Sequence, residues 1–215
     1  MRLFLSSFRV GHCPKELVNM LPDGRRTALV LNADDYKTPA DRSESAEREI
    51  QELLSIGLDP YELDLRDYFG ESRRLRGELS DCDAVYVRGG NVFVLRRALA
   101  HSGMDAVLLD LLADDSVAYG GYSAGSAVLG PTLRGVRGHV DVPEYVPDGY
   151  PDERTIWEGV GVIPFAIAPH YRSGHEESEE IERTVEYYIE NHIPFIALRD
   201  GQVLVVDGAT TRVLG

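Results

Sequence analysis

The chain has little of three things: cysteine, positive charge and long apolar runs. Its 215 residues include two cysteines, Cys13 and Cys82. They lie far apart and in no metal-ligand spacing, so neither a disulfide framework nor a cysteine-based zinc site is expected. Isolated thiols fit a reducing compartment, and a cytoplasmic protein is expected. Lysine and arginine total 22 against 36 aspartates and glutamates, a formal net charge of −14. That balance argues against nucleic acid, which needs a basic footprint, and disfavours an anionic membrane surface. No apolar run approaches the roughly 18 residues that a membrane-spanning helix needs. The stretch Met1 to Phe8 has too short an apolar core for a signal peptide and reads as a first strand.

What is present is an alternation of strand-like and helix-like segments, with 43% hydrophobic residues to form a core. Thr27 to Asn32 is a short continuous apolar run, as expected for a strand covered on both faces. Ser43 to Ile56 reads as a helix with Ala46, Ile50, Leu53 and Leu54 on one face and Gly57 as its cap. Strands follow at Tyr61 to Leu65 and Ala84 to Val87, then helices at Val92 to Ala100 and Asp105 to Leu112. Arg134 to Trp157 is irregular. Phe165 to Ala168 reads as a strand. Glu176 to Asn191 is an acidic amphipathic helix with Ile181, Val185, Tyr188 and Ile189 on its apolar side. Phe195 to Leu198 is a strand, and Gln202 to Val206 with Thr211 to Leu214 form a hairpin through Asp207-Gly208. This pattern implies one α/β domain over residues 1–215, with a mostly parallel sheet flanked by helices and a C-terminal hairpin. In such sheets the site lies beyond the carboxyl ends of the strands.

Four chemically suggestive segments follow strands: Gly89-Gly90-Asn91, Ser123, Pro169-His170 and Asp200-Gly201. Their convergence on one crevice is expected. Gly121-Tyr122-Ser123-Ala124-Gly125 has the Gly-x-Ser-x-Gly pattern of a nucleophile elbow, in which small neighbours let the turn push the hydroxyl outward. A serine hydroxyl needs a base, and the base needs an orienting acid. Of six histidines, His170 ranks first because it directly follows a strand, with His139 and His175 behind it. Asp200 is the first candidate acid; Glu176 and Glu177 are its rivals. The N–H groups of Ala124 and Gly90 are candidate oxyanion donors, with Gly89 behind Gly90. Asn91 either caps the next helix or helps to hold this loop. No metal or organic cofactor is required by this chemistry.

The segments Val87 to Phe93, Gly121 to Ala127, Pro131-Thr132, Ala168 to Tyr171 and Ile196 to Gly201 resemble the dipeptidase E (aspartyl dipeptidase) and cyanophycinase family of serine peptidases. The resemblance implies a class I glutamine-amidotransferase-like, flavodoxin-like three-layer fold. It implies Ser123 as nucleophile and His170 as base. The family's acid is a glutamate in a Pro-Glu-Gly context, and the matching position is Asp200 in Arg199-Asp200-Gly201. Dipeptidase E also carries an arginine after the histidine that binds the aspartyl carboxylate. The corresponding position is Glu180, which would repel that carboxylate, so strict Asp-X cleavage is not expected. Asp141 is a candidate for binding a substrate α-amino group, with loop capping as its alternative.

The expected activity is therefore serine exopeptidase hydrolysis of short peptides, of dipeptidase or aminopeptidase type, by a monomer or homodimer. The alternatives are a cyanophycinase-like hydrolase of β-aspartyl-arginine and a non-catalytic metabolite-binding module. Glutamine amidotransfer is disfavoured because on this fold it uses cysteine at the elbow.

Overall fold

A computed structural model describes residues 1–21, 24–151 and 154–215. The elements run β1 (Arg2–Ser6), α1 (Pro14–Asn19), β2 (Arg26–Val30), α2 (Pro39–Ser55), β3 (Asp59–Glu62), α3 (Ser72–Leu79), β4 (Ala84–Val87), α4 (Val92–Ser102), α5 (Met104–Ala113), β5 (Ala118–Tyr122), α6 (Ala124–Ala127), β6 (Ala166–Ala168), α7 (Ser178–Glu190), β7 (Phe195–Ala197), β8 (Val203–Asp207) and β9 (Thr210–Leu214). Short 3₁₀ turns occupy Asn32–Asp34 and Leu65–Tyr68.

Seven strands form one sheet in the order β3-β2-β4-β5-β1-β8-β9. The first five are mutually parallel; β8 runs antiparallel to β1, and β9 antiparallel to β8. The C-terminal hairpin thus completes the edge beside β1. Strand periodicity divides the interior into two cores. Leu3, Leu5, Val85 and Val87 pack on the face covered by α3, α4 and α5. Phe4, Leu29, Ala84 and Tyr86 pack on the other face, with Leu17 of α1 and Leu53 of α2. Consecutive apolar residues such as Leu3-Phe4-Leu5 and Ala84 to Val87 are what a sheet buried on both faces requires.

A second sheet of two parallel three-residue strands, β6 and β7, stands apart from the first. Ile167 and Ile196 pack into the main core, while Ala166 and Ala168 meet Ile181, Val185 and Tyr188 of α7. His170 and Asp200 therefore follow strands of this small sheet, not of the main one, as the four-segment reading had it. Two helices lacked a clear signal. α1 has six residues opened by Pro14, and α3 buries only Leu75 and Leu79. α2 begins earlier than expected because the Thr38 hydroxyl caps it, accepting from the Asp41 N–H at 3.2 Å. Leu54 and Ile189 face solvent, 46% and 61% exposed, rather than the apolar faces assigned to them. Among the described residues no helix is long and apolar enough to cross a membrane.

Candidate active site

The buried strand β5 ends in a turn at Ser123 with φ 49° and ψ −117°. That backbone is costly for a residue with a Cβ and persists only where its surroundings enforce it. The enforcement is visible. The Ser123 N–H donates to the carbonyls of Ser6 and Ser7, and the Ser123 carbonyl accepts from Ser126 and Ala127 at 2.9 and 2.8 Å. Gly89 lies so close that a Cβ there would sit 2.8 Å from Ser123 Cβ. Gly90, at φ 140°, would bring a Cβ 2.6 Å from the Ala33 carbonyl. Only glycine fits either place. The N–H groups of Gly90 and Ala124 have no hydrogen-bond partner among the described residues.

His170 and Asp200 arrive two and three residues beyond β6 and β7. His170 is 1% exposed, and its Nδ1 lies 2.7 Å from Asp200 Oδ1. The buried Ser7 hydroxyl accepts from the His170 backbone N–H and donates to Asp200 Oδ1, both at 2.8 Å. The Asp200 N–H donates to Ser173 Oγ at 2.8 Å. Burial pushes the Asp200 carboxyl up, but hydrogen bonds from His170 and Ser7 outweigh it, so its pKa is lowered on balance. Ser7 was not singled out by sequence reading. A serine directly following β1, the strand beside the nucleophile strand, was the available signal.

Ser123, His170, Gly89 and Gly90 line one open cleft of about 310 Å³. Ser123 and His170 are not hydrogen-bonded to each other; such contacts often tighten only when substrate binds. Phe8 packs edge-on against His170, and His175 stacks on it with centroids 3.7 Å apart at 11°. Burial, followed by repulsion from His170, lowers the His175 pKa.

Arg9, Lys37, Arg48 and Arg88 contribute positive charge to this cleft, and Glu176 and Glu177 contribute negative charge from the other side of His170 in sequence. Glu177 Oε2 lies 3.7 Å from His170 Nε2, the nitrogen not held by Asp200. Burial raises the Glu177 pKa. Beside Ser123 is a smaller pocket of about 10 Å³, lined by Asp141, Glu177, Val92 and Ile181 among others. Asp141 Oδ1 accepts from the Val92 N–H at 2.7 Å. Burial pushes its pKa up to about 7 against that bond, helped by repulsion from Glu177 and Glu180.

Two other candidates have structural partners. Asn91 Oδ1 caps α4 by accepting from the N–H groups of Phe93 and Val94, and Asn91 Nδ2 donates to the Val140 carbonyl at 2.7 Å. Glu180 accepts from the His139 N–H at 3.0 Å, its other oxygen lies 3.2 Å from His139 Nδ1, and it lines neither cavity. His139 is engaged there, away from Ser123.

His170, His175 and Glu177 bring potential ligand atoms within 4.8 Å of one another. Near-parallel stacked rings point their nitrogen lone pairs along separate planes, so the two imidazoles cannot both aim at one ion without a ring rotation. The arrangement suits stacking better than ligation.

The sequence matches the model of peptidase family S51 over residues 7–214. It is 32% identical over 203 residues to Peptidase E of Streptomyces coelicolor, covering 92% of this chain and 74% of that one. It is 30% identical over 142 residues to a protein of Drosophila melanogaster named "Probable alpha-aspartyl dipeptidase", covering 64% of this chain and 55% of that one. A solved peptidase E-type structure from Listeria monocytogenes EGD-e superposes with a TM-score of 0.78 at 21% identity, covering 99% of this chain and 97% of its own, and shows the same fold. The chain belongs to peptidase family S51, the dipeptidase E family of serine peptidases.

Proposed function

We propose that this serine peptidase is an exopeptidase acting on short peptides with a free amino terminus, through Ser123, His170 and Asp200. The observation that carries the reading is the 2.7 Å contact of His170 Nδ1 with Asp200 on a cleft shared with the strained Ser123 turn. Ser123 Oγ attacks the scissile carbonyl while His170 Nε2 takes its proton. Asp200 holds the ring so that Nε2 faces the cleft, and stabilises the imidazolium. The N–H groups of Gly90 and Ala124 receive the developing oxyanion. His170 then protonates the leaving amine, and water releases the acyl group by the same steps in reverse.

Charge supports the choice of substrate. A dipeptide carries an ammonium and a carboxylate. The small pocket beside Ser123 has the volume of about one water molecule, the size of an ammonium group. Asp141 and Glu177 give it the matching charge, and Arg9, Lys37 and Arg48, each also paired with an acid, line the cleft on the side proposed for the carboxylate. These acids also disfavour an aspartyl side chain in the same pocket, which supports a specificity broader than Asp-X. Glu180 does not act directly in this reading; it anchors the loop that carries Asp141 through the His139 N–H.

Turnover across a library of dipeptides and tripeptides tests this, with β-aspartyl-arginine included and Ser123→Ala as control. Cleavage of several free-amino dipeptides, lost on amino-terminal acetylation and in Ser123→Ala, is expected. Cleavage confined to β-aspartyl-arginine or to Asp-X peptides contradicts the specificity.

A further inference from the structure

The loop after β4 contains a half-buried arginine at the cleft that the proposed reaction leaves without a role. Arg88 is 12% exposed at its side chain. Its Nη1 donates to the carbonyl of the next residue, Gly89, at 2.9 Å, and the same nitrogen pairs with the buried Asp34 carboxylate. Its Nε lies 3.3 Å from Glu49 Oε1. Each carboxylate has a second partner: Lys37 Nζ is 3.0 Å from Asp34 Oδ1, and the Tyr122 hydroxyl donates to Glu49 at 2.6 Å. The guanidinium thereby sits between two carboxylates, and it grips the carbonyl of the peptide unit whose N–H belongs to Gly90.

A trans peptide unit points its C=O and N–H in opposite directions, and no described peptide bond is cis. Holding the Gly89 carbonyl on Arg88 therefore turns the Gly90 N–H the other way. Gly90 lines the cleft, and its N–H has no partner among the described residues. The loop is pinned at both ends as well, by Arg88 N–H to Val30 O at 3.0 Å and Asn91 N–H to Ala33 O at 2.9 Å. What these two bonds leave free is the rotation of the Gly89–Gly90 peptide plane between two glycines, the least restricted residues in the chain. The geometry points to Arg88 as a positioning residue: by holding the Gly89 carbonyl it aims the Gly90 N–H at the oxyanion that forms when Ser123 attacks. This rests on the proposed role of Gly90. Preorganisation of this kind matters because an oxyanion donor contributes only if it is already aimed when charge develops.

Arg88→Met and Arg88→Lys test it, with three readouts: kcat and KM on a cleaved dipeptide, affinity for a peptide boronate that forms a tetrahedral adduct on Ser123, and the Gly90 amide NMR signal. In Arg88→Met, Asp34 keeps Lys37 and Glu49 keeps Tyr122. The expected result is kcat lower by about 10–100-fold with KM changed less than about threefold, and a boronate weakened by a like factor, somewhat less than loss of a whole oxyanion donor. Arg88→Lys keeps the charge, but one ammonium cannot span Asp34, Glu49 and the Gly89 carbonyl, so it stays impaired; it also decides the matter if Arg88→Met does not fold. Full kcat in either variant, or a rise in KM alone, overturns the inference, the latter meaning that Arg88 binds substrate directly. In the unmutated enzyme a Gly90 amide signal that moves on boronate binding supports the role of Gly90 independently. A signal that does not move refutes that role, and the inference with it, whatever the variants do.

Discussion

The two halves of the site are built differently. Ser123 ends a central strand of the seven-stranded sheet, and its turn is held by main-chain hydrogen bonds and by glycines packed against it. His170 and Asp200 follow three-residue strands of a separate sheet lying between the main core and α7. Main-chain bonds join the two segments, Tyr171 N–H to Leu198 O at 3.0 Å and Leu198 N–H to Ala168 O at 2.9 Å, and side chains add to them, above all the Ser7 hydroxyl that ties the His170 backbone to Asp200. The nucleophile is thus positioned by main chain and close packing, while the base and acid depend in addition on a few polar side-chain contacts. Side-chain changes should therefore affect the second half more selectively than the first.

The largest effect in that half is expected for Asp200→Asn. The amide can leave His170 in the wrong tautomer, and a fall in kcat of about 10⁴-fold is expected while the structure is retained. Glu177→Gln, altering the acid on the far side of the same ring, should leave kcat within about tenfold. Steady-state kinetics of the two variants decide between Asp200 and Glu177 as the orienting acid; equal losses would remove the distinction.

Asp141→Asn comes next. Losing a charge-assisted bond to the substrate ammonium should raise KM by about 10–100-fold. Because burial lifts the Asp141 pKa to about 7, kcat/KM of the parent should gain as pH rises through that value, in a step that Asp141→Asn removes. Stability should move the other way. A carboxyl whose pKa is raised on folding favours the folded state while protonated, and that contribution is lost as pH rises from the ordinary 3.8 through about 7. Thermal melts at pH 5 and 8 should show a smaller difference in Asp141→Asn than in the parent.

Ser7→Ala should lower kcat by about tenfold, because the Asp200 carboxylate loses a charge-assisted hydrogen bond of about 1.5 kcal/mol and the His170 N–H loses its acceptor. The smallest effect on catalysis is expected on the nucleophile side. Asn91→Ala removes a helix cap and a bond to the Val140 carbonyl, and should cost about 1–3 kcal/mol in a denaturant titration.

The same contrast governs what the sequence revealed. The Ser123 turn was legible because its geometry demands small residues at fixed offsets, and β4 was read to its ends because apolar runs mark strands buried on both faces. The separate sheet was not legible. Three-residue strands such as Ala166–Ala168 have the same apolar look whichever sheet they join. Ser7 escaped because its partners, His170 and Asp200, lie more than 160 residues away in the chain. Glu180 was placed at the substrate by its match to the family's carboxylate-binding arginine, and that match says nothing of the 138–141 loop that returns over it.

The most direct test of the central claim is the rate and site of phosphonylation by a fluorophosphonate in the folded enzyme, mapped by peptide mass spectrometry. The account predicts a single adduct on Ser123, formed far more slowly in His170→Ala and Asp200→Asn. An adduct-free Ser123 in enzyme that still cleaves peptides, or unchanged labelling without His170, would contradict it.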